Sequence, residues 1–210
     1  MKIYDISRTI SPSIAVWPGD QRFEHRWTMQ IEKGASVNLG AITLSVHTGT
    51  HADAPYHFNE AGVDINQLAL EKFIGPAFVV EVRDASQIQL EHVRSLDFTR
   101  VKRVLFKTKA SYLEDSRWEN DFVYLATETA EFLGKQGVQL VGMDSPSVDS
   151  MQSKTLDTHK MLARYGIANL ENVNLSQVPP GEYQLIALPL KLQGLDASPV
   201  RAVLIQGEYP

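Results

Sequence analysis

His47-Thr48-Gly49-Thr50-His51-Ala52-Asp53-Ala54-Pro55-Tyr56-His57 gathers three of the chain's six histidines and one carboxylate into eleven residues. Neutral imidazoles with a carboxylate form the donor set that a borderline divalent cation such as zinc binds well. A helix would bring His47 and His51 together at i and i+4 but would turn Asp53 away. Gly49, two threonines and Pro55 disfavour a helix further. In an extended chain the period of two puts positions 47, 51, 53 and 57 on one face. We therefore expect a strand over about residues 42–47 that runs into an extended loop, its polar groups aimed at one point. Gly49 lets the backbone pass close to that point, and Pro55 stiffens the turn before His57. An H-x-x-x-H pair is common by chance; the full H-x-G-T-H-x-D-x-P-x-H run is not.

Working outward, 210 residues with 43% hydrophobic and 21% charged side chains suffice for one domain with a full core, expected over residues 1–210. A net charge of −5 and no basic run give no footprint for nucleic acid or an anionic membrane. There are no cysteines, so disulfides, thiolate metal sites and a cysteine nucleophile are excluded, and any metal must be held by His, Asp and Glu. No stretch approaches the ~18 apolar residues of a membrane span, and the N-terminal residues carry no apolar signal core. A cytoplasmic location is the expectation.

Strand signals recur over residues 3–7, 23–31, 37–46, 78–82, 103–107, 138–142, 167–170, 183–190 and 199–205. Helical signals cover 90–96, 127–136 and 155–165, with Gly137 and Gly166 as stops and Thr155 or Asp157 as caps of the last. Strands outnumber helices. The fold class expected is α/β: a single domain on a mixed or barrel-like sheet with few helices. Trp17-Pro18-Gly19-Asp20 reads as a turn; Trp17 there is either a core anchor or an aromatic wall of a pocket. The polar, proline-stiffened run 144–149 follows a buried strand, which is where α/β folds tend to carry function, though a plain connection reads the same way.

A catalytic metal site keeps a coordination position open for water. His47, His51 and Asp53 would leave one free, and a bound cation would lower the pKa of that water from ~15.7 toward ~7. His57 is then the natural general acid and base, since an imidazole can both take and return a proton near neutral pH. Amide hydrolysis needs these parts, and an N-formyl arylamine suits them because an aryl amine leaves more readily than an alkyl amine. His159 and Glu171 lie too far along the chain for spacing to bring them to this cluster.

The motif resembles the signature of the metal-dependent cyclase-like hydrolases, a family that includes the bacterial kynurenine formamidases. Asp5-Ile6-Ser7, the Trp17 turn, the 142–149 segment, His159 and Glu171 extend the resemblance over most of the chain. It implies a β/β/α-layered, cyclase-like fold and hydrolysis of N-formyl-L-kynurenine to kynurenine and formate, in tryptophan degradation. It implies two zinc ions per subunit, one on His47, His51 and Asp53 and one on the shared Asp53 with His159 and Glu171. It also implies that Trp17 lies against the substrate, that His57 moves the proton and that the enzyme is a homodimer. Three alternatives remain open at this point. The same chemistry would open a cyclic amide or lactone, as an isatin hydrolase does. Two histidines and a carboxylate also form the triad of non-haem Fe(II) oxygenases. A non-catalytic metal-binding module would need no open position.

Overall fold

A run of buried side chains from Arg103 to Lys107 shows how the chain builds its centre. This strand carries no polar alternation because it is covered on both faces, as central parallel strands are. Leu105 packs into one hydrophobic cluster; Val104 and Phe106, pointing the other way, pack into a second. The computed structural model describes residues 1–207 of the chain. Its strands are β1 Lys2–Asp5, β2 Glu24–Met29, β3 Leu39–Thr43, β4 His51–Asp53, β5 Ile74–Glu81, β6 Gln87–Ile88, β7 Arg103–Lys107, β8 Tyr124–Leu125, β9 Leu140–Met143, β10 Ala168–Glu171, β11 Gly181–Ile186, β12 Ala197–Pro199 and β13 Val203–Gln206. Two α-helices are described, α1 Thr127–Lys135 and α2 Asp157–Arg164.

Nine strands form one curled mixed sheet in the order β1-β13-β11-β5-β7-β9-β10-β4-β12. The middle run from β5 to β10 is parallel, and the strands outside it are antiparallel. One face of the sheet is covered by α1 and α2 through Ala130, Leu133 and Leu162. The other curls around Ile6, Ile65, Phe73, Leu170 and Leu204. The α/β class with a barrel-like sheet and few helices is therefore borne out. No helix among the described residues is long and apolar enough to cross a membrane.

Several expected boundaries move. The strand expected to deliver His47 ends at Thr43 and pairs only with β2, in a hairpin whose second sheet is separate from the main one. Its alternation comes from an exposed ribbon: Trp27, Met29, Leu39 and Ile42 are all exposed. The helix expected over 90–96 is one 3₁₀ turn, Leu90–His92. Strand β5 runs over Ile74–Glu81, starting four residues ahead of the expected 78–82 and taking in Gly75 and Pro76.

Candidate metal centre

Strand β4 is the origin of the site. It lies between β10 and β12, with His51 opposite Glu171 and Asp53 opposite Asn169 on β10. Because side chains alternate, His51, Asp53, Asn169 and Glu171 share the face that α2 covers, while Ala52 and Leu170 enter the core on the other. His159 descends onto the same face from the first turn of α2. His47 arrives from a turn, not a strand: its N–H donates to Ser45 Oγ. Gly49 follows with φ of +67°, and a Cβ there would lie 3.2 Å from Ile10, so the left-handed turn needs glycine. After Pro55 a 3₁₀ turn, Pro55–His57, brings His57 back over the cluster. The expected common face thus holds for His51 and Asp53, and turns supply His47 and His57.

Each imidazole is held by one nitrogen and offers the other. His51 Nδ1–H donates to Gly49 O at 2.9 Å, leaving Nε2 toward Asp53 Oδ1 and Glu171 Oε2, both at 3.4 Å. His159 Nδ1–H donates to Asp149 Oδ2 at 2.6 Å, leaving Nε2 3.5 Å from Asp53 Oδ2 and 3.4 Å from Glu171 Oε1. His47 Nε2–H donates to Asp196 Oδ2 at 2.9 Å, leaving Nδ1 3.1 Å from Asp53 Oδ1. An outer hydrogen bond that fixes the tautomer of a ligating imidazole is the usual arrangement around metals.

Besides a more exposed set of His47, His57 and Asp196, two sets of donor atoms centred on Asp53 each converge within 4.8 Å: His47, His51 and Asp53, and Asp53, His159 and Glu171. Asp53 belongs to both, one oxygen to each. His51 Nε2 and Asp53 Oδ1 are buried without any hydrogen-bond partner, a state that costs free energy unless something else satisfies them. Their 3.1–3.4 Å separations from neighbouring ligand atoms match the spacing of about 3.4 Å between two ligands of one tetrahedral cation. The residues fit divalent cations. Electrostatics agree. Burial works to lower the His51 pKa, but Asp53 and Glu171 outweigh it and raise it to about 10. Burial likewise opposes ionisation of Asp53, yet the bonds from His159, His47 and His51 bring its pKa well below the usual range. Two buried carboxylates here demand positive charge, which protons or cations can provide.

The remaining sequence candidates take distinct places. His57 reaches neither of the Asp53-centred trios; it belongs to the third set with His47 and Asp196, where its Nδ1–H donates to Asp196 Oδ2 at 2.9 Å, and its ring lines a cavity of about 790 Å³. Trp17 lines the same cavity, edge-on to Trp118 at 5.3 Å and to Phe122 at 6.4 Å. Of its two readings, the wall is the one realised, for Trp17 is 38% exposed. Four contributors escaped the sequence. Asn169 donates to Asp53 Oδ2 and Glu171 Oε1; its position two residues before Glu171 on a strand was the available signal. Asp149 grips His159, although only its loop had been marked. Trp118 and Asp196 had no local signal.

The Cyclase family model, described as "Putative cyclase", matches residues 4–150. The chain is 48% identical to the kynurenine formamidase of Salinibacter ruber over 100% of both chains. It is 42% identical to the kynurenine formamidase of Erythrobacter litoralis over 97% of this chain and 93% of that one. A solved structure entitled "The Structure Of Potential Metal-Dependent Hydrolase With Cyclase Activity" superposes with a TM-score of 0.85 at 31% identity, covering 99% of each chain.

Proposed function

Because this chain belongs to the Cyclase family, we propose that it is a metal-dependent arylformamidase that hydrolyses N-formyl-L-kynurenine to L-kynurenine and formate. The observation that carries the reading is the pair of donor trios meeting at Asp53, beside an aromatic cavity. Full-length relatives named kynurenine formamidase support the substrate. In this reading His47, His51 and Asp53 hold one zinc ion, and Asp53, His159 and Glu171 hold a second. Ions bound there supply Lewis acidity and acidify a coordinated water.

The chain's own groups do the rest. Trp17, with Trp118 and Phe122 beside it, gives the arene of the substrate an apolar wall. His57 carries its proton on Nδ1, bonded to Asp196, so Nε2 presents a lone pair. That nitrogen takes a proton from the attacking water and returns it to the anilide nitrogen as the C–N bond breaks. The water's oxygen ends on the formyl carbon as formate; the arylamine departs neutral.

The reading places the enzyme in cytoplasmic tryptophan degradation and makes it a homodimer, for which the apolar side chains exposed on the β2–β3 hairpin supply surface. The purified protein with zinc should release formate from N-formylkynurenine faster than it opens isatin. Absence of formate release with full metal content would defeat the assignment, faster opening of isatin would shift it to cyclic amides, and a single-chain mass by light scattering would remove the dimer.

A further inference from the structure

Asp196 stands outside the two Asp53-centred trios and forms the third convergent set with His47, a member of one of them, and His57, the proton carrier. Its Oδ2 accepts from His47 Nε2–H and from His57 Nδ1–H, each at 2.9 Å, and the two rings lie 4.4 Å apart between centroids. The backbone around it is fixed. Asp196 O accepts Ala54 N–H at 2.8 Å, Leu195 O accepts Ile65 N–H at 2.9 Å, and the next residue, Ala197, pairs with Asp53 across β12 and β4. The carboxylate is thus bolted to the strand that carries His51 and Asp53. A carboxylate oxygen only accepts, so it forces a proton onto the nitrogen facing it in each ring. Consequently, with a cation in place of a proton between His47 Nδ1 and Asp53, His47 would present its Nδ1 lone pair to that cation, and a neutral His57 presents its Nε2 lone pair to the cavity.

We propose that Asp196 is a positioning residue: one carboxylate oxygen sets the tautomer and ring angle of both His47 and His57, and so ties the proton carrier to the cation site. The proposal rests on the hydrolase reading above for its kinetic consequence but not for its structural one. His57 is exposed on a short 3₁₀ turn, and its Nδ1 has no other side-chain acceptor among the described residues. Without Asp196 it would be free to rotate and to adopt the other tautomer. His47 would keep only its contact with Asp53.

The test uses the zinc-loaded protein and the variants Asp196→Ala, His57→Ala and the double variant. Long-range ¹⁵N–¹H spectra of the wild type should show His57 protonated at Nδ1 and His47 at Nε2. In Asp196→Ala the His57 pattern should become mixed, and zinc affinity should fall about 10–100-fold, the usual effect of losing an outer partner of a ligand. At saturating zinc, kcat should fall at least tenfold while KM stays within about twofold. Asp196→Ala should cost little more in the His57→Ala background, because residues acting as a unit are not additive. The proposal is overturned if Asp196→Ala lowers the melting temperature but leaves tautomers, zinc affinity and kcat unchanged. It is also overturned if both substitutions add fully. It falls, too, if the wild-type rings carry no proton toward Asp196, as a cation held by His47, His57 and Asp196 would require. Should Asp196→Ala fail to fold, Asp196→Asn and the wild-type spectrum still decide the protonation pattern. If N-formylkynurenine is not hydrolysed at all, the arylformamidase reading fails, while spectra and zinc affinity continue to judge Asp196.

Discussion

His57 and Asn172 show how differently two residues near one site are constrained. His57 ligates nothing in either Asp53-centred trio, so His57→Ala should lower kcat by about 10²–10⁴-fold, the range for a general acid–base group, with metal content unchanged by elemental analysis. Loss of metal along with turnover would recast it as a ligand. Asn172 follows Glu171 and holds φ of +56°, a conformation costly for most side chains and cheap for glycine. Its carbonyl accepts Thr50 Oγ–H at 2.7 Å, which binds the turn before β4 to the end of β10. Asn172→Gly should leave the urea midpoint near that of wild type, whereas Asn172→Val should cost about 1–3 kcal/mol; equal effects would show that the strain is not borne there. At this scale the sequence was most readable where donors are dense, as at 47–57. It was silent on Asp196, which acts through the fold from a stretch with no motif of its own.

Helix α2 enters the site through a cap that local sequence does not contain. Thr155 and Asp157 were the candidates, but they bond to each other, and Leu156 occupies the N-terminal position with φ of +51°. Asp149 caps instead: Oδ1 accepts Thr158 N–H and Oδ2 accepts His159 N–H, each at 3.0 Å. One carboxylate therefore starts the helix and orients the His159 ring. Burial works against ionisation of Asp149, but these donors and His159 win and lower its pKa. A depressed folded pKa gives stability that is present above the unfolded value of ~3.9 and is lost as pH falls through the folded one. Urea unfolding of chelator-treated protein should show wild type more stable than Asp149→Asn near pH 6, with the gap closing below about pH 4. A constant gap would mean that shape and not charge matters. The helix itself was legible from its periodicity and from Gly166; its cap was not, because a cap supplied from eight residues upstream leaves no pattern at the helix start.

Over the whole molecule, the recurrence of apolar runs announced a strand-rich α/β chain, and β9, Leu140–Met143, showed its central place by carrying no polar side chain. The neighbour order could not be read, since β4 pairs with strands that begin more than a hundred residues later. The site inherits this. Its buried carboxylates favour protonated His51 and raise its pKa to about 10, so this stabilisation is complete below ~6.5 and is lost as pH rises from there through about 10. A cation replaces that proton, so zinc affinity should climb with pH between 6 and 9 and binding should release protons into weak buffer. Titration calorimetry in buffers of different ionisation enthalpy measures this; no net proton release would disprove the charge state. Zinc at about a hundred times its Kd should stabilise the fold by about 2.7 kcal/mol, read as a higher melting temperature that EDTA reverses.

The pairing of β1 with β13, residue 2 against residue 206, also bears on the order of events during synthesis. A ribosome that has delivered the first 150 residues has made the histidine-rich run but neither β10 nor β12, so β4 has no neighbours to lie between. The nascent chain carries loose ligands and an unclosed sheet edge until its last strands emerge. Metal capture in its final geometry is thus confined to chains that already include β10 and β12.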